Sequence, residues 1–160
     1  MGYSYEGTES PVMCFNGHKN YVLGWYADKQ IILEPAKGVT WSGKLVGFVD
    51  YNKASTSRNE YVLVVFGTLF IQYNLAEGFN SQVQEKANLV TIVTAPTSTS
   101  QSLMLLSLSA KQFVVIDSYV IEACETVDAS STAPKYVELS VRLETQSSTC
   151  PNAKLVPMQN

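Results

Sequence analysis

The chain has 160 residues, of which 46% are hydrophobic and 16% charged, so it is of single-domain size and can bury a sizeable core. The formal net charge is −3 and the basic residues are scattered rather than clustered, which argues against nucleic acid or an anionic membrane as a partner. The longest apolar run, 62–66, is far shorter than the roughly 20 residues that span a bilayer, so we expect no transmembrane segment.

The first predicted element is a short helix. Residues 1–10 are rich in glycine and hydroxyl side chains, which favours turns and loops. From Asn16 the pattern changes: Asn16 is a good N-cap, and Tyr21, Val22 and Trp25 have the spacing of one apolar helical face. We therefore predict a helix from Asn16 to Trp25.

From Lys29 onward the apolar period becomes two, and Val, Ile, Thr, Tyr and Phe dominate, as is typical of β-strands. Polar connections such as 52–59 and 96–102 separate the apolar runs, and none is long enough to divide the chain into independent domains. The predicted strands are Gln30–Glu34, Val39–Tyr51, Glu60–Phe66, Leu69–Asn74, Leu89–Thr94, Leu103–Leu108, Gln112–Asp117, Tyr119–Cys124 and Tyr136–Glu144.

Two of these strands indicate the architecture. In Tyr136–Glu144 apolar side chains alternate strictly with polar ones, which predicts one buried face and one wet face. Glu60–Phe66 is apolar almost throughout, as expected for a strand covered on both sides. The sequence therefore predicts a mainly β fold, an antiparallel β-sandwich of about eight or nine strands preceded by a loop and one short α-helix.

The chain has three cysteines. Cys124 and Cys150 bracket a segment whose middle is rich in turn residues, so the chain can return in hairpin fashion and bring the two thiols together. A disulfide between them is one interpretation, and two unpaired buried thiols are the other. Cys14 is then left without a partner in this chain, and it lacks the residues of a thiol protease around it.

Residues that carry chemistry are sparse. The only histidine is His18, whereas a zinc peptidase of the H-E-x-x-H-x-x-G-x-x-H type needs three imidazoles and a glutamate. We expect His18 to be a solvated or capping side chain of the short helix. No nucleophile elbow, phosphate-binding glycine loop or calcium loop is present in the sequence, so the chain supplies no complete active site.

Three stretches nevertheless resemble a known family. They are the opening MGYS with PVMCFNGHKNYVLGWY, the segment 40–47, and the block from Ile71 to Glu85, and together they cover roughly residues 1–95. Their order and spacing are similar to the region that follows the zinc helix in gametolysin-like zinc metallopeptidases of the metzincin clan. The zinc helix and its glutamate are missing here, so we expect them to be encoded upstream of Met1.

The resemblance implies roles for the opening residues. Met1 would be the methionine of the Met-turn, the apolar floor beneath a zinc ion that it does not bind. Tyr3 would contact the metal or the tetrahedral intermediate, although packing against the predicted helix is the alternative role for its ring. Ser4, Tyr5 and Pro11 would form a wall of the specificity pocket.

The resemblance also implies a division of the chain and a biological setting. Residues 1–27 would be the Met-turn and closing helix of a partial catalytic domain, 28–150 the β-sandwich, and 151–160 a polar tail. The partners would be a missing N-terminal catalytic subdomain and a protein or glycoprotein substrate, with zinc as the cofactor of the longer protein only. The location would be extracellular or in a cell wall, and any secretion signal would lie upstream.

Two functions remain open, and a structural remnant with no activity is a third, blander possibility. The first is the C-terminal portion of a secreted gametolysin-like metalloendopeptidase, inactive as an isolated chain because it lacks the metal ligands. The second is a free-standing β-sandwich module that binds glycan or protein at the cell surface through exposed aromatic side chains. The candidates for those side chains are Trp41, Tyr51, Tyr73 and Phe79.

Overall fold

The computed structural model of the chain describes residues 16–35, 38–83 and 85–158. Within these ranges there is one α-helix, α1 (Gly17–Leu23), and none of the helices is long and apolar enough to cross a bilayer. Short 3-10 helices lie at Ala27–Lys29, Phe48–Lys53, Thr56–Arg58 and Gly78–Asn80. The strands are β1 (Gln30–Leu33), β2 (Trp41–Val46), β3 (Glu60–Tyr61), β4 (Leu63–Phe66), β5 (Leu69–Asn74), β6 (Leu89–Thr94), β7 (Leu103–Leu108), β8 (Gln112–Ile116), β9 (Tyr119–Val127), β10 (Tyr136–Leu143) and β11 (Lys154–Leu155).

The strands form two sheets, and the predicted mainly β class is confirmed. The five-stranded sheet has the order β1-β4-β5-β6-β7, and the six-stranded sheet has the order β11-β8-β9-β10-β2-β3. Most neighbours are antiparallel, as expected, but β1 with β4, β2 with β3, and β11 with β8 are parallel, so both sheets are mixed. The described strands number eleven rather than eight or nine, because 60–66 divides into two and β11 forms in the segment predicted as a polar tail.

One apolar cluster joins the inner faces of the two sheets. It follows from the period of two, because alternate side chains of each strand point to the same face. Its fully enclosed members come from both sheets, which makes the arrangement a sandwich with a single core. Side chains with 0% exposure in this cluster are Leu45, Val64, Ile71, Tyr73, Leu75, Ile92, Leu108, Val114, Ile121, Ala123 and Val141.

The chain passes from one sheet to the other at Val62. β3 belongs to the six-stranded sheet and β4 to the five-stranded sheet, so the predicted strand 60–66 is wrong as a single strand. The corner is held by Glu60, a buried carboxylate that accepts hydrogen bonds from Arg58 and from the backbone N–H of Ser55. Val62 itself is fully buried and donates its N–H to the carbonyl of Lys29 at 2.8 Å.

The predicted strand 39–51 is too long because the chain turns at Gly47. After β2 the backbone enters the 3-10 helix Phe48–Lys53, with the N–H of Asp50 bonded to the carbonyl of Gly47 at 2.8 Å. Gly47 also makes an isolated parallel bridge to Tyr73 of β5. A Cβ on this residue would lie 2.5 Å from Cβ and Cδ2 of Leu75. The two sheets therefore approach so closely here that only glycine fits without strain.

The helix α1 lies on the outer face of the five-stranded sheet, in contact with β5 and β6. It begins as predicted, with the side-chain oxygen of Asn16 accepting from the N–H of Lys19 at 3.2 Å, and it ends at Gly24 in the left-handed conformation. The predicted apolar face is only partly correct. Tyr21 packs against the apolar cluster on this side of the sheet, but Val22 and Trp25 are about half exposed.

We predict that Gly47→Ala destabilises the protein by about 1–3 kcal/mol, because the added methyl group overpacks the contact with Leu75. Urea unfolding followed by circular dichroism measures the change. Gln82→Ala, at an exposed side chain, is the control and should leave the midpoint nearly unchanged. An unchanged midpoint for Gly47→Ala would mean that the approach of the sheets at this point is not tight.

Candidate functional site

The site residues that the resemblance implies lie at the start of the chain. Met1, Tyr3, Ser4, Tyr5 and Pro11 all fall outside the described residues, and so does Cys14. Their proposed roles therefore remain predictions. The geometry of the described ranges bears on the other candidates, namely the histidine, the two remaining cysteines and the aromatic side chains.

His18 is not solvated, so that expectation was wrong. Its side chain is fully buried between α1 and the sheet, and its ring stands edge-on to Phe70 with the centroids 4.9 Å apart. The cause is Gly17, where a Cβ would lie 3.1 Å from Leu63 and 3.2 Å from Phe70. Because glycine lets this turn of α1 sit directly on β4 and β5, the next side chain is enclosed.

The electrostatic setting of His18 favours the neutral imidazole. Burial lowers its pKa, the charge of Lys19 lowers it further, and the backbone of Thr97 acts in the opposite direction. Neither ring nitrogen has a hydrogen-bond partner of good geometry. Beside it, the amide of Asn20 donates to Oε1 of Gln72 at 3.0 Å, so the helix meets the sheet through a buried polar contact.

The outer face of the six-stranded sheet holds a second buried polar cluster. Glu122 on β9 is fully buried, and its Oε1 lies 2.7 Å from Nη2 of Arg142 on the neighbouring strand β10. Arg142 is itself only 7% exposed. An ion pair at this depth requires further hydrogen bonds to offset its desolvation, and the segment after β10 supplies them.

Residues 148–150 cover the ion pair. Ser148 Oγ donates to Oε1 of Glu122 at 2.8 Å, and Thr149 donates its N–H and Oγ1 to Oε2 at 3.3 and 3.2 Å. Ser140 Oγ, on β10, donates to the same oxygen at 3.2 Å. Cys150 is joined to Cys124 of β9 by a disulfide, the pair that the turn-rich segment suggested, and this bond ties the cover to the sheet.

These contacts determine the charge of Glu122. Burial raises the pKa of its carboxyl, but the hydrogen bonds from Arg142, Ser148 and Thr149, with the charge of Arg142, outweigh that effect. The pKa therefore lies below its ordinary value, and the group is a carboxylate at neutral pH. All four oxygen lone-pair directions are occupied by structural donors, which leaves no position for general acid–base work.

Sequence reasoning missed this ion pair. The alternation in β10 predicted that Ser140 and Arg142 face water, but both are buried because the segment after the strand folds back over them. The signal that would have found it was the cysteine pairing. A bridge from Cys150 to Cys124 forces residues 144–150 across the outer face of β9 and β10, next to Glu122.

A depression of about 310 Å³ opens beside the disulfide on the same face. Its polar groups are hydroxyls, one amide, one ammonium and one carboxylate. The ammonium group of Lys44 already has two partners: its Nζ lies 3.5 Å from the carboxylate of Glu60 and 4.9 Å from the centre of the Tyr136 ring. The lining residues are Ser42, Gly43, Lys44, Asn59, Cys124, Glu138, Leu139, Ser140 and Thr149.

The aromatic candidates are dispersed. Tyr73 is fully buried in the core, which corrects its assignment as an exposed side chain, because β5 is an interior strand. Trp41 packs against the core and stands edge-on to Tyr61. The hydroxyl of Tyr51 donates to the carboxylate of Asp28 at 2.8 Å, and Phe79 alone of the four candidates is more than half exposed.

Metal ligands do not gather into a zinc site within the described ranges. Among the described residues, the one group of three potential metal ligands is Glu122, Cys124 and Cys150. Its two sulfur atoms are bonded to each other in the disulfide and so cannot bind a metal as thiolates. His18, the only histidine of the whole sequence, is fully buried with its ring against Phe70. These residues do not fit the three-imidazole zinc centre of the family that the sequence resembles.

No protein-family model, curated protein or solved structure matches this chain. The assignment of function therefore depends on the sequence resemblance and on the geometry described above.

We predict that Glu122→Gln destabilises the oxidised protein by about 3–5 kcal/mol at pH 7, because it leaves Arg142 buried without a counter-charge. Urea unfolding at several pH values provides the measurement. A carboxyl with a lowered folded pKa stabilises the protein above its ordinary value of 4.5, and that contribution is lost as the pH falls through the folded pKa.

The variant should therefore lose less stability on acidification below about pH 4.5 than the wild type does. Glu138→Gln is the matched control, since this side chain is exposed on the same face of β10 and should change stability little. Equal effects of the two substitutions would contradict a structural role for the buried pair.

Proposed function

We propose that this chain is the C-terminal, non-catalytic portion of a secreted gametolysin-like zinc metalloendopeptidase. The observation that carries the proposal is the docking of α1, the helix within the stretch that resembles the family, onto the five-stranded sheet. The docking involves the close approach at Gly17 and the buried contact between Asn20 and Gln72. Helix and sandwich thus form one unit, as a catalytic domain and its supporting β module would require.

Two further features support the proposal. The disulfide between Cys124 and Cys150 is the kind of bond that persists in an oxidising compartment, which fits an extracellular or cell-wall location. Val22 and Leu23 at the end of α1, and Trp25 just after the helix, are about half exposed. An apolar helix surface of this kind fits contact with an upstream catalytic subdomain.

The zinc of the family would be held by residues outside this chain. The enclosed position of His18 leaves it unable to reach a metal without displacing the helix from Phe70. The role of the present residues would be to hold the Met-turn segment against a rigid sandwich and to border the cleft. Substrate would be a protein or glycoprotein, cleaved by the upstream subdomain.

We predict that the purified chain, incubated with casein and zinc chloride, shows no hydrolysis that a chelator abolishes. The physical reason is the lack of a fitting set of zinc ligands in the chain. An active metzincin peptidase assayed in parallel is the positive control. Chelator-sensitive hydrolysis by the chain would contradict the inactive state, whereas an upstream transcript sequence without an in-frame H-E-x-x-H would contradict the family assignment.

A second function is favoured by the depression on the six-stranded sheet. The Ser42 hydroxyl and the Glu138 carboxylate, both exposed in the depression, are groups that exchange hydrogen bonds with a hydroxyl-rich ligand such as a glycan. The exposed ring of Phe79 adds an aromatic surface elsewhere on the module. In this case the chain would be a recognition module of the cell surface.

For that function, we predict binding of the isolated chain on a glycan array, with at least a tenfold loss in Glu138→Ala because a charged acceptor is removed from the depression. Glu144→Ala, an exposed carboxylate near the end of the same strand and outside the depression, is the control. Binding of no glycan by the folded wild-type chain, or equal loss in both variants, would contradict recognition at this site.

A further inference from the structure

His18 is a buried side chain that ionises near neutral pH. It is the only histidine of the sequence, and it is 0% exposed beneath α1. Neither Nδ1 nor Nε2 has a hydrogen-bond partner of good geometry. Histidine is the side chain type whose ordinary pKa lies between pH 5 and 8, so mild acidification acts first on this residue.

On its own helix, His18 has no group that would favour a positive charge. The titratable side chains of α1 beside it are those of Lys19 and Tyr21. Lys19 carries a positive charge, which disfavours a second cation next to it. The backbone of Thr97, in the loop that follows β6, acts in the opposite direction and favours the charged ring.

The sheet beneath α1 offers no counter-charge either. The segments 62–76 and 87–110 contain β4, β5, β6 and the loop after β6, and neither segment has a charged residue. Their one titratable side chain, Tyr73, belongs to the inner core between the sheets, whereas α1 lies on the outer face. Among the described residues that pack against His18, none is therefore a carboxylate that could pair with an imidazolium.

The docking of α1 is a local contact. The helix has seven residues, fewer than the ~12–15 at which an isolated helix becomes even marginally stable in water, so it depends on the sheet. Its polar ties are the bond from Asn16 Nδ2 to Ser102 Oγ at 2.8 Å and the bond from Asn20 to Gln72 at 3.0 Å. An element held by few contacts opens at a lower free energy than the core strands do.

We propose that His18 makes the docking of α1 sensitive to pH, so that the helix releases from the five-stranded sheet in mildly acidic solution. A protonated ring that stays buried without a counter-charge has a large desolvation cost, whereas the released ring is solvated by water. Release uncovers the apolar cluster on the outer face of the sheet. The buried members of that cluster are Leu63, Val65, Phe70, Val93 and Ala95.

The direction of the effect follows from proton linkage. The pKa of His18 in the docked state lies below its ordinary value of 6.5, chiefly because of burial, so the released helix binds the proton more tightly. Docking is fully stable above pH 6.5, and it weakens as the pH falls below that value toward the docked pKa. From about pH 7 to about pH 5.5 the equilibrium constant for release rises by up to about eightfold.

Amide hydrogen exchange of the oxidised chain at pH 7 and pH 5.5, with each rate corrected for its intrinsic pH dependence, tests the proposal. Protection of the α1 amides should fall by about threefold to eightfold at the lower pH. It should also be lower than that of β9 at both pH values, because release is local. Equal protection of α1 and β9 would show that the helix opens only when the whole protein unfolds, and would overturn the proposal.

Three variants assign the response to His18. His18→Gln keeps a neutral polar side chain of similar size, so its α1 protection should be the same at both pH values. Lys19→Gln should reduce the response, because it removes a charge that lowers the pKa of His18. Lys154→Gln removes the same charge from an exposed side chain on β11, in the other sheet, and should respond like the wild type.

A wild-type helix whose protection does not change with pH would overturn the proposal, and so would an undiminished response in His18→Gln. Should His18→Gln fail to fold, the two lysine variants decide the question, since equal responses from them would contradict a role for the charge beside His18. The pH response requires neither an upstream subdomain nor a ligand in the depression. Its failure would therefore leave the proposed function untouched.

Discussion

The sandwich depends on one corner, where the chain leaves the six-stranded sheet and enters the five-stranded sheet within a single residue. Val62 is fully buried between β3 and β4, so the two sheets share a continuous backbone at the point where their faces meet. Glu60 holds this corner with a charge that is buried and fully paired. Gly47 and Leu75 then bring β2 and β5 together a short distance away, and the rest of the inner core packs between these constraints.

The outer faces of the two sheets are covered by short segments rather than by another sheet. Each is covered by a short segment that is not a strand, α1 on one sheet and residues 148–150 on the other. Each cover encloses polar side chains, which are His18, Asn20 and Gln72 in the first case and Glu122 and Arg142 in the second. The hydrogen bonds beneath these covers, from Asn20 to Gln72 on one sheet and to Glu122 on the other, specify how the covers dock, whereas the ring nitrogens of His18 take no part in them.

Most described titratable side chains with displaced pKa values are engaged with structural partners, as Glu60 and Glu122 are, whereas the buried hydroxyl of Tyr73 and the ring nitrogens of His18 have no hydrogen-bond partner of good geometry. In the part of the chain that the structure describes, the proposals above use two surfaces, the depression beside the disulfide and the exposed side chains of Val22 and Leu23 on α1.

Local patterns alone determined the class of the protein and most of its elements. β5, β6 and β7 have the bounds that their alternation predicts, and α1 begins at its predicted cap and ends at Gly24, because these features depend on side-chain period and backbone preference within a few residues. Only the tertiary structure determined which residues are covered by segments that are distant in sequence. The division of 60–66 between two sheets, the burial of His18 and the burial of Arg142 each depend on residues far away in sequence, whose approach no local period encodes. The disulfide is an exception, because the cysteine spacing in the sequence indicated a long-range contact. That contact, between Cys124 and Cys150, holds the segment that covers the buried ion pair.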